Sequence, residues 1–341
     1  MKTLFADPDT NKAHRLAAVN SINWARILAQ ITYYFHAYFS LLRHSGEPDT
    51  QPRFVVPTGN FGDVLAGYFA RRMGLPAEKL VVATNENDIL HRFWKSGYYE
   101  KKPVHGCEAN GGFEEDGAKA HSDGVKETLS PAMDILVSSN FERLLWYLAF
   151  EASNAEDSGA RRKEAGSQVQ AWLDQMKNEG GFGVGQDILQ AAKRDFESER
   201  VSDEQTIRTI KQTYDQQLPS AHDKQLSNGA SNGHATPATT GMVNDGHYIL
   251  DPHSAIGVAA SLRSIKSNPS THHIALATAH PAKFSHAVEL ALRDVQGFSF
   301  ATVLPEQFVG LEDLPRRVRD SKNDWHAVRT IVDEEVRAEK R

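Results

Sequence analysis

Gly59-Asn60-Phe61-Gly62-Asp63 is the segment whose residue types and spacing carry the most chemistry. Two glycines let backbone amides turn toward a common point, and a helix starting just after them directs its positive end there. Amides and a helix N-terminus converging in this way bind phosphate. No Gly-Lys-Ser/Thr follows, so the segment is not a P-loop, and the Gly-x-Gly-x-x-Gly dinucleotide fingerprint is absent. A tight strand-to-helix connection without a ligand fits the same residues. Asn20, Ser21, Asn23 and Arg26 form a second cluster at a helix start. Capping side chains, first-turn amides and a planar guanidinium fork make an anion site there, and plain capping beside a solvated arginine is the alternative. Thr278 closes an apolar run and precedes Ala279-His280-Pro281. A hydroxyl at the carboxyl end of a parallel strand faces the ligand crevice, although a hydrogen-bonded core threonine fits as well.

The remaining reactive residues give less. No His-Glu-x-x-His and no Cys/His cluster of zinc spacing occurs, so no metal ligands are assigned. His253 and His280 read as hydrogen-bonded structural residues. Cys107 sits in a Gly/Glu-rich stretch and reads as exposed and non-catalytic. A Gly-x-Ser-x-Gly elbow is absent, and Asp134 and Glu142 make no evident acid/base pair.

The elements that must position these residues follow from periodicity. Trp24, Ile27, Leu28, Ile31, Phe35, Tyr38, Phe39 and Leu42 recur at helical spacing, with Asn20 or Ser21 as a competent N-cap. Phe54-Val55-Val56-Pro57 reads as a strand, Val64 to Met73 as a helix and Leu80 to Thr84 as a strand, which is a βαβ unit of a parallel sheet. A second such unit is expected from strand Tyr248-Ile249-Leu250, helix Ala255–Lys266 and strand Ile274–Thr278, followed by a helix over 285–294. Between the two units, helical patterns run over 139–152, 160–177 and 186–199, and a charged helix is expected over 323–341. Residues 1–18 are polar, show no clear period and do not look like the start of a domain. Residues 106–124 and 219–246 read as insertions, the latter a surface loop without the large apolar residues a core needs.

Composition bounds the function. The 341 residues correspond to about two domains at roughly 150 residues each. Hydrophobic residues make up 40% and charged residues 24%, as in a soluble globular protein. The net charge of −6 argues against a nucleic-acid binder that works by neutralising phosphates. One cysteine excludes an intrachain disulfide and suits a reducing, cytoplasmic setting. No apolar run reaches membrane-spanning length, and the N-terminus lacks a signal-peptide core.

Several runs, taken in order, resemble the threonine synthase family, specifically its longer fungal and bacterial branch. They are Val19-Asn20-Ser21-Ile22-Asn23-Trp24-Ala25-Arg26-Ile27-Leu28-Ala29-Gln30, Val55 to Tyr68 around Gly59-Asn60-Phe61-Gly62-Asp63, Ala83-Thr84-Asn85-Glu86-Asn87-Asp88, Ser130-Pro131-Ala132-Met133-Asp134-Ile135, Ser139-Asn140-Phe141-Glu142-Arg143-Leu144, Asp251-Pro252-His253-Ser254-Ala255, and Thr278-Ala279-His280-Pro281-Ala282-Lys283-Phe284. The resemblance implies an α/β enzyme of pyridoxal-phosphate fold type II, like tryptophan synthase β, with parallel sheets flanked by helices. It implies conversion of O-phospho-L-homoserine and water to L-threonine and phosphate. It assigns Gly59, Asn60, Phe61, Gly62 and Asp63 to the pyridoxal 5'-phosphate phosphate, Thr278 to the pyridine nitrogen, and Asn20, Ser21 and Arg26 to the substrate phosphate. On this resemblance residues 1–105 are the remainder of the cofactor-binding α/β region, 125–218 a helical segment of the large domain, and 247–341 a C-terminal α/β segment with terminal helices.

One departure matters. The family's Schiff-base lysine, in a Phe-Lys-Asp segment, and its Ser-Gly-Asp-Thr-Gly substrate loop both precede the Asn20–Arg26 region, and neither is found here. The chain is expected to be truncated at the N-terminus relative to the family. Lys283 belongs to the His-Pro-Ala-Lys-Phe run, and Lys2 and Lys12 lie in the polar start, so no catalytic lysine is assigned. The chain by itself is expected to hold the cofactor weakly and to turn over negligibly. A catalytically dead binding or regulatory relative, and another fold type II enzyme such as a dehydratase, are the alternatives. A phosphate-binding Asn20/Ser21/Arg26 cluster argues against the dehydratase, whose substrate carries no phosphate. Monomer and homodimer both stay open.

Overall fold

The computed structural model describes residues 2–16, 20–102, 119–120, 124–216, 243–244, 247–316 and 318–339. Cys107 and most of the two segments read as insertions lie outside these residues. The chain divides into two compact units, one of Met1–Asn23 with Glu306–Arg341, the other of Trp24–Pro305. The helices are α1 (Lys2–Ala6), α2 (Pro8–His14), α3 (Trp24–Ser45), α4 (Gly62–Arg72), α5 (Ile89–Ser96), α6 (Phe141–Ala152), α7 (Ser158–Asn178), α8 (Gln186–Asp195), α9 (Asp203–Asp215), α10 (Pro252–Ser267), α11 (Ser285–Leu292) and α12 (Trp325–Glu339). The principal sheet holds β1 (Arg53–Pro57), β2 (Leu80–Thr84), β3 (Phe196–Arg200) and β4 (His273–Ala275), in the order β4-β1-β2-β3 with every pair parallel. Among the described residues, no helix is long and apolar enough to cross a membrane.

Burial in the larger unit follows from sequence. Phe54 to Val56 and Leu80 to Ala83 are buried without a break, as in a parallel sheet covered on both faces. Successive side chains alternate between faces. Phe54, Val56, Leu80 and Val82 join the large core with Tyr34, Leu65 and Phe93. Val55, Val81 and Ala83 meet Ile256, Ala259 and Ala260 of α10. Close packing of α3 on α4 needs a glycine, because a Cβ at Gly67 would fall 2.5 Å from the Tyr34 ring. The Tyr34 hydroxyl then donates to the Asp63 carbonyl at 2.7 Å.

Four local readings are corrected. The segment 186–199 is not one helix. α8 ends at Asp195, and Phe196–Arg200 becomes the edge strand β3. Phe196 and Ser198 are buried between half-buried Glu197 and Glu199, a period of two that pairing with β2 imposes over the helical preference of Glu and Arg. Tyr248-Ile249-Leu250 is not a strand of the sheet. His247–Tyr248 pairs antiparallel with Val243–Asn244, while Ile249 and Leu250 are buried with Ile210, Val288 and Leu292 against helices. Helix α3 starts at Trp24, so neither Asn20 nor Ser21 caps it. Asn20 closes a turn instead, its Oδ1 accepting from the Ile22 amide at 3.2 Å and its carbonyl from the Asn23 amide at 3.1 Å. Strand β4 ends at Ala275 rather than Thr278; the Leu276 amide still reaches the Val55 carbonyl, and then the chain leaves the sheet.

Residues 2–14, in which no clear period is read, form two helices. Asp7 caps α2 by accepting from the Thr10 amide at 3.0 Å, and Pro8 fills its first turn. Within that unit, Arg329 of α12 donates to Asp7 at 3.1 Å and His14 meets Asp333 at 2.6 Å. Helix α9, also unforeseen, begins with a reciprocal capping box between Ser202 and Gln205.

Candidate functional site

In a parallel sheet, the loops leaving the carboxyl ends of the strands share one end of the sheet. Two of the residue groups singled out by sequence follow the adjacent strands β1 and β4. The turn Gly59–Asp63 begins two residues after β1, and Thr278 lies three residues after β4, with its side chain exposed.

The turn does not work as its glycines suggest. Neither Gly59 nor Gly62 has a positive φ; the left-handed residue is Phe61, at φ 63°. A bulky residue rarely adopts this conformation. Phe61 is held in it by burial against Phe141, Trp94 and Phe196, at ring-centroid distances of 5.3, 6.0 and 6.3 Å. Gly59 is needed for space instead. A Cβ there would come 3.0 Å from the Ala132 carbonyl and the Met133 Cα, in the short 3-10 turn Pro131–Met133. Phe61 occupies the N-cap of α4 and offers no side-chain acceptor, so the first-turn amides of an 11-residue helix lack a side-chain cap.

Residues 138–140 lace the turn in place, a role the sequence reading did not assign. Ser138 Oγ donates to the Gly59 carbonyl at 2.5 Å, Asn140 Nδ2 to the Asn60 carbonyl at 2.9 Å, and Ser139 Oγ to Asn60 Oδ1 at 3.1 Å. The only hint in the sequence is the polar run before α6. Asp63, in the first turn of α4, is a half-buried residue whose Oδ1 is fully shielded and without a partner among the described residues. Burial pushes its carboxyl up to about 6.

The Thr278 end is built around Asp251, which is buried at the N-cap of α10. Its Oδ1 accepts from the His253 amide at 3.0 Å and contacts His253 Nδ1 at 2.9 Å; Ser254 Oγ donates to Oδ2 at 2.5 Å. Burial opposes charge on this carboxyl, yet the hydrogen bonds from His253 and Ser254 hold it below the usual carboxylate value. Thr278 Oγ1 lies 3.3 Å from both Asp251 oxygens and 3.2 Å from Ser254 Oγ, while the Thr278 amide donates to Ser254 Oγ at 3.0 Å. His253 Nε2 accepts from the Ala132 amide at 3.1 Å. A backbone N–H can only donate, so the neutral ring carries its proton on Nδ1 and gives it to Asp251. Ala132 therefore backs Gly59 with its carbonyl and holds His253 with its amide, which ties the 59–63 turn to Thr278.

His253 is thus hydrogen-bonded and structural, as read from sequence. His280 Nδ1 accepts from the Ala282 amide at 3.1 Å. Asp134 accepts from Asn85, Asn87 and Thr128 at 2.8, 3.0 and 2.7 Å, so it braces the loop after β2. Arg26 lies exposed in the first turn of α3, within the larger unit, whereas Asn20 and Ser21 belong to the smaller unit.

Residues 254–332 match the family model described as threonine synthase, C-terminal. The chain is 45% identical to threonine synthase of Saccharomyces cerevisiae, an alignment covering 98% of this chain and 56% of that protein. The crystal structure of yeast threonine synthase superimposes with a TM-score of 0.77 at 43% identity, covering 99% of this chain and 57% of that one. The pyridoxal-phosphate-bound threonine synthase of Brucella melitensis gives 0.69 at 35% identity, over 98% and 56%. The chain spans about half the length of the curated relatives it matches. Over the length that it spans, then, this chain is similar to the threonine synthases and has the α/β architecture of pyridoxal-phosphate fold type II, and residues 254–332 match that family's C-terminal model.

Proposed function

We propose that the chain supplies the phosphate and ring-nitrogen contacts of a pyridoxal-5'-phosphate-dependent threonine synthase, the lyase that makes L-threonine and phosphate from O-phospho-L-homoserine and water. One observation carries this reading. An amide-bearing turn at 59–63 and the exposed residue Thr278 follow adjacent parallel strands and are joined through Ala132, His253 and Asp251. The residues suit the cofactor. Uncapped first-turn amides of α4 meet a phosphate dianion, and a hydroxyl meets a pyridine nitrogen without imposing a carboxylate's charge.

When bound, the cofactor stores the electrons of the substrate carbanion. The chain's own residues bind and orient. Gly59, Asn60, Phe61, Gly62 and Asp63 frame the cofactor phosphate, and Thr278 faces the ring nitrogen. Asn20, Ser21 and Arg26 are assigned to the substrate phosphate. Asn20 already uses its side-chain oxygen on the Ile22 amide, so it meets an anion through its NH2 group. A guanidinium such as that of Arg26 stabilises charge on the departing phosphate. No lysine of this sequence stands in the Schiff-base context of the family, so no residue is assigned the covalent step. The chain by itself is expected to bind cofactor without attachment and to turn over negligibly. A cytoplasmic setting fits a chain with one cysteine.

Equilibrium titration of the chain with pyridoxal 5'-phosphate and with pyridoxal tests this reading. A preference of about tenfold or more for the phosphorylated form, roughly 1.4 kcal/mol, lost in Gly59→Ala, supports it. Equal affinity, or no binding, overturns it. Borohydride treatment of the complex and peptide mapping are expected to leave every lysine unmodified, and phosphate release from O-phospho-L-homoserine is expected to stay at background.

A further inference from the structure

Three consecutive residues take up the acceptor atoms at the start of the 59–63 turn. Ser138 Oγ donates to the Gly59 carbonyl at 2.5 Å and Ser139 Oγ to Asn60 Oδ1 at 3.1 Å. Asn140 donates twice to the Asn60 carbonyl, through its backbone amide at 3.2 Å and through Nδ2 at 2.9 Å. The described peptide bonds are all trans, so each N–H points opposite to the carbonyl in its own peptide plane. The Gly59 carbonyl shares a plane with the Asn60 N–H, and the Asn60 carbonyl with the Phe61 N–H. Both carbonyls face residues 138–140, so both amides face away from that segment. Neither amide has a hydrogen-bond partner among the described residues. Arg143, in the first turn of α6, keeps the Asn140 side chain the right way round. A guanidinium only donates, and Arg143 Nη1 lies 2.9 Å from Asn140 Oδ1. The oxygen is therefore fixed toward Arg143 and the NH2 toward the Asn60 carbonyl. Asn140 is fully buried, so a reversed side chain would set oxygen against oxygen with no water between them.

We propose that Arg143 is a positioning residue for a phosphate monoester: acting through Asn140, it holds the Asn60 carbonyl turned away, so that the turn meets the phosphate with N–H donors and not with carbonyl lone pairs. This rests on the reading of residues 59–63 as the cofactor-phosphate contact. Without Arg143 the Asn140 side chain has no partner that fixes its oxygen, and the Asn60 peptide loses a restraint on its rotation. A rotated peptide would withdraw the Phe61 N–H and bring an oxygen toward the phosphate in its place. The cost falls on the phosphorylated ligand alone, because a ligand without the phosphate uses neither amide.

Titration of the full chain with pyridoxal 5'-phosphate and with pyridoxal tests the proposal, the ratio of the two dissociation constants being the readout. Arg143→Met is expected to cut the wild-type preference for the phosphorylated form by about fivefold or more, while the affinity for pyridoxal stays within about twofold. Arg143→Lys, which can still donate to Asn140 Oδ1, is expected to restore most of the preference. Asn140→Leu keeps the size of the side chain and the charge of Arg143 but has no side-chain donor for the Asn60 carbonyl. It is expected to lose the preference as Arg143→Met does, and it decides the matter if Arg143→Met fails to fold. A guanidinium that met the phosphate directly would leave the preference intact in Asn140→Leu, and a purely structural one would weaken both ligands alike. Either result overturns the inference and leaves the proposed function standing. A wild-type chain with equal affinity for the two forms, or with none, overturns the proposed function and this inference with it.

Discussion

The Ala132 amide donates to Nε2 of His253 at 3.1 Å, across 121 positions of sequence. This bond joins the short turn that backs Gly59 to the N-terminus of α10, and His253 passes the connection to Asp251 on its other nitrogen. Replacing His253 by Ala leaves the Ala132 amide and one Asp251 acceptor position without their partner. Urea unfolding is expected to show a loss of about 1–3 kcal/mol, and titration a weaker affinity for pyridoxal 5'-phosphate. His253→Gln, which can accept from Ala132, is expected to recover part of both.

Gly67→Ala places a methyl 2.5 Å from the Tyr34 ring, where α3 crosses α4. Overpacking at so close a crossing is expected to cost about 1–3 kcal/mol in chemical denaturation. Tyr34→Leu in the same chain is expected to relieve it, so the double variant falls short of the sum of the two single losses.

Asp63 makes stability depend on pH. Burial raises its carboxyl from an ordinary 3.8 to about 6 in the folded chain, so the native state holds this proton more tightly than the unfolded one. The contribution is fully present below pH 3.8 and is lost as pH rises through about 6. Asp63→Asn is expected to be more stable than wild type near pH 8 by on the order of 2 kcal/mol, with the gap closing toward pH 4. Denaturation midpoints of the cofactor-free chain across this range measure it.

His91 works at the acid side. Burial, then the nearby charge of Lys95, lowers it from 6.5 to about 4, and its Nδ1 sits 3.1 Å from Ser198 Oγ. The folded state resists a proton that the unfolded state accepts. Its contribution is present above pH 6.5 and is lost as pH falls through about 4. His91→Gln is expected to flatten the stability profile over that interval by on the order of 2 kcal/mol, read from thermal or urea unfolding.

Much of the larger unit was legible because its signals are local. Unbroken apolar runs at Phe54–Val56 and Leu80–Ala83 mark strands buried on both faces, and Asp251 before Pro252 marks a helix start. The misses have equally physical causes. Phe196–Arg200 carries helix-forming residues, and only its ladder with β2 makes it a strand. Ile249 and Leu250 are apolar enough for a strand but are buried by helices. Asp7-Pro8 and Ser202-Asp203-Glu204-Gln205 were readable caps that polarity obscured.

By itself the sequence determined the parallel α/β class, the turn at 59–63 and the hydroxyl at Thr278, because each depends on residue type and on neighbours a few positions away. Tertiary structure decided how they act. Phe61 rather than a glycine takes the left-handed position because three distant aromatic rings pin it. Asp251 and His253 gained their roles only when folding brought Ala132 and Thr278 within hydrogen-bond reach, and no local pattern encodes a contact between residues so far apart along the chain.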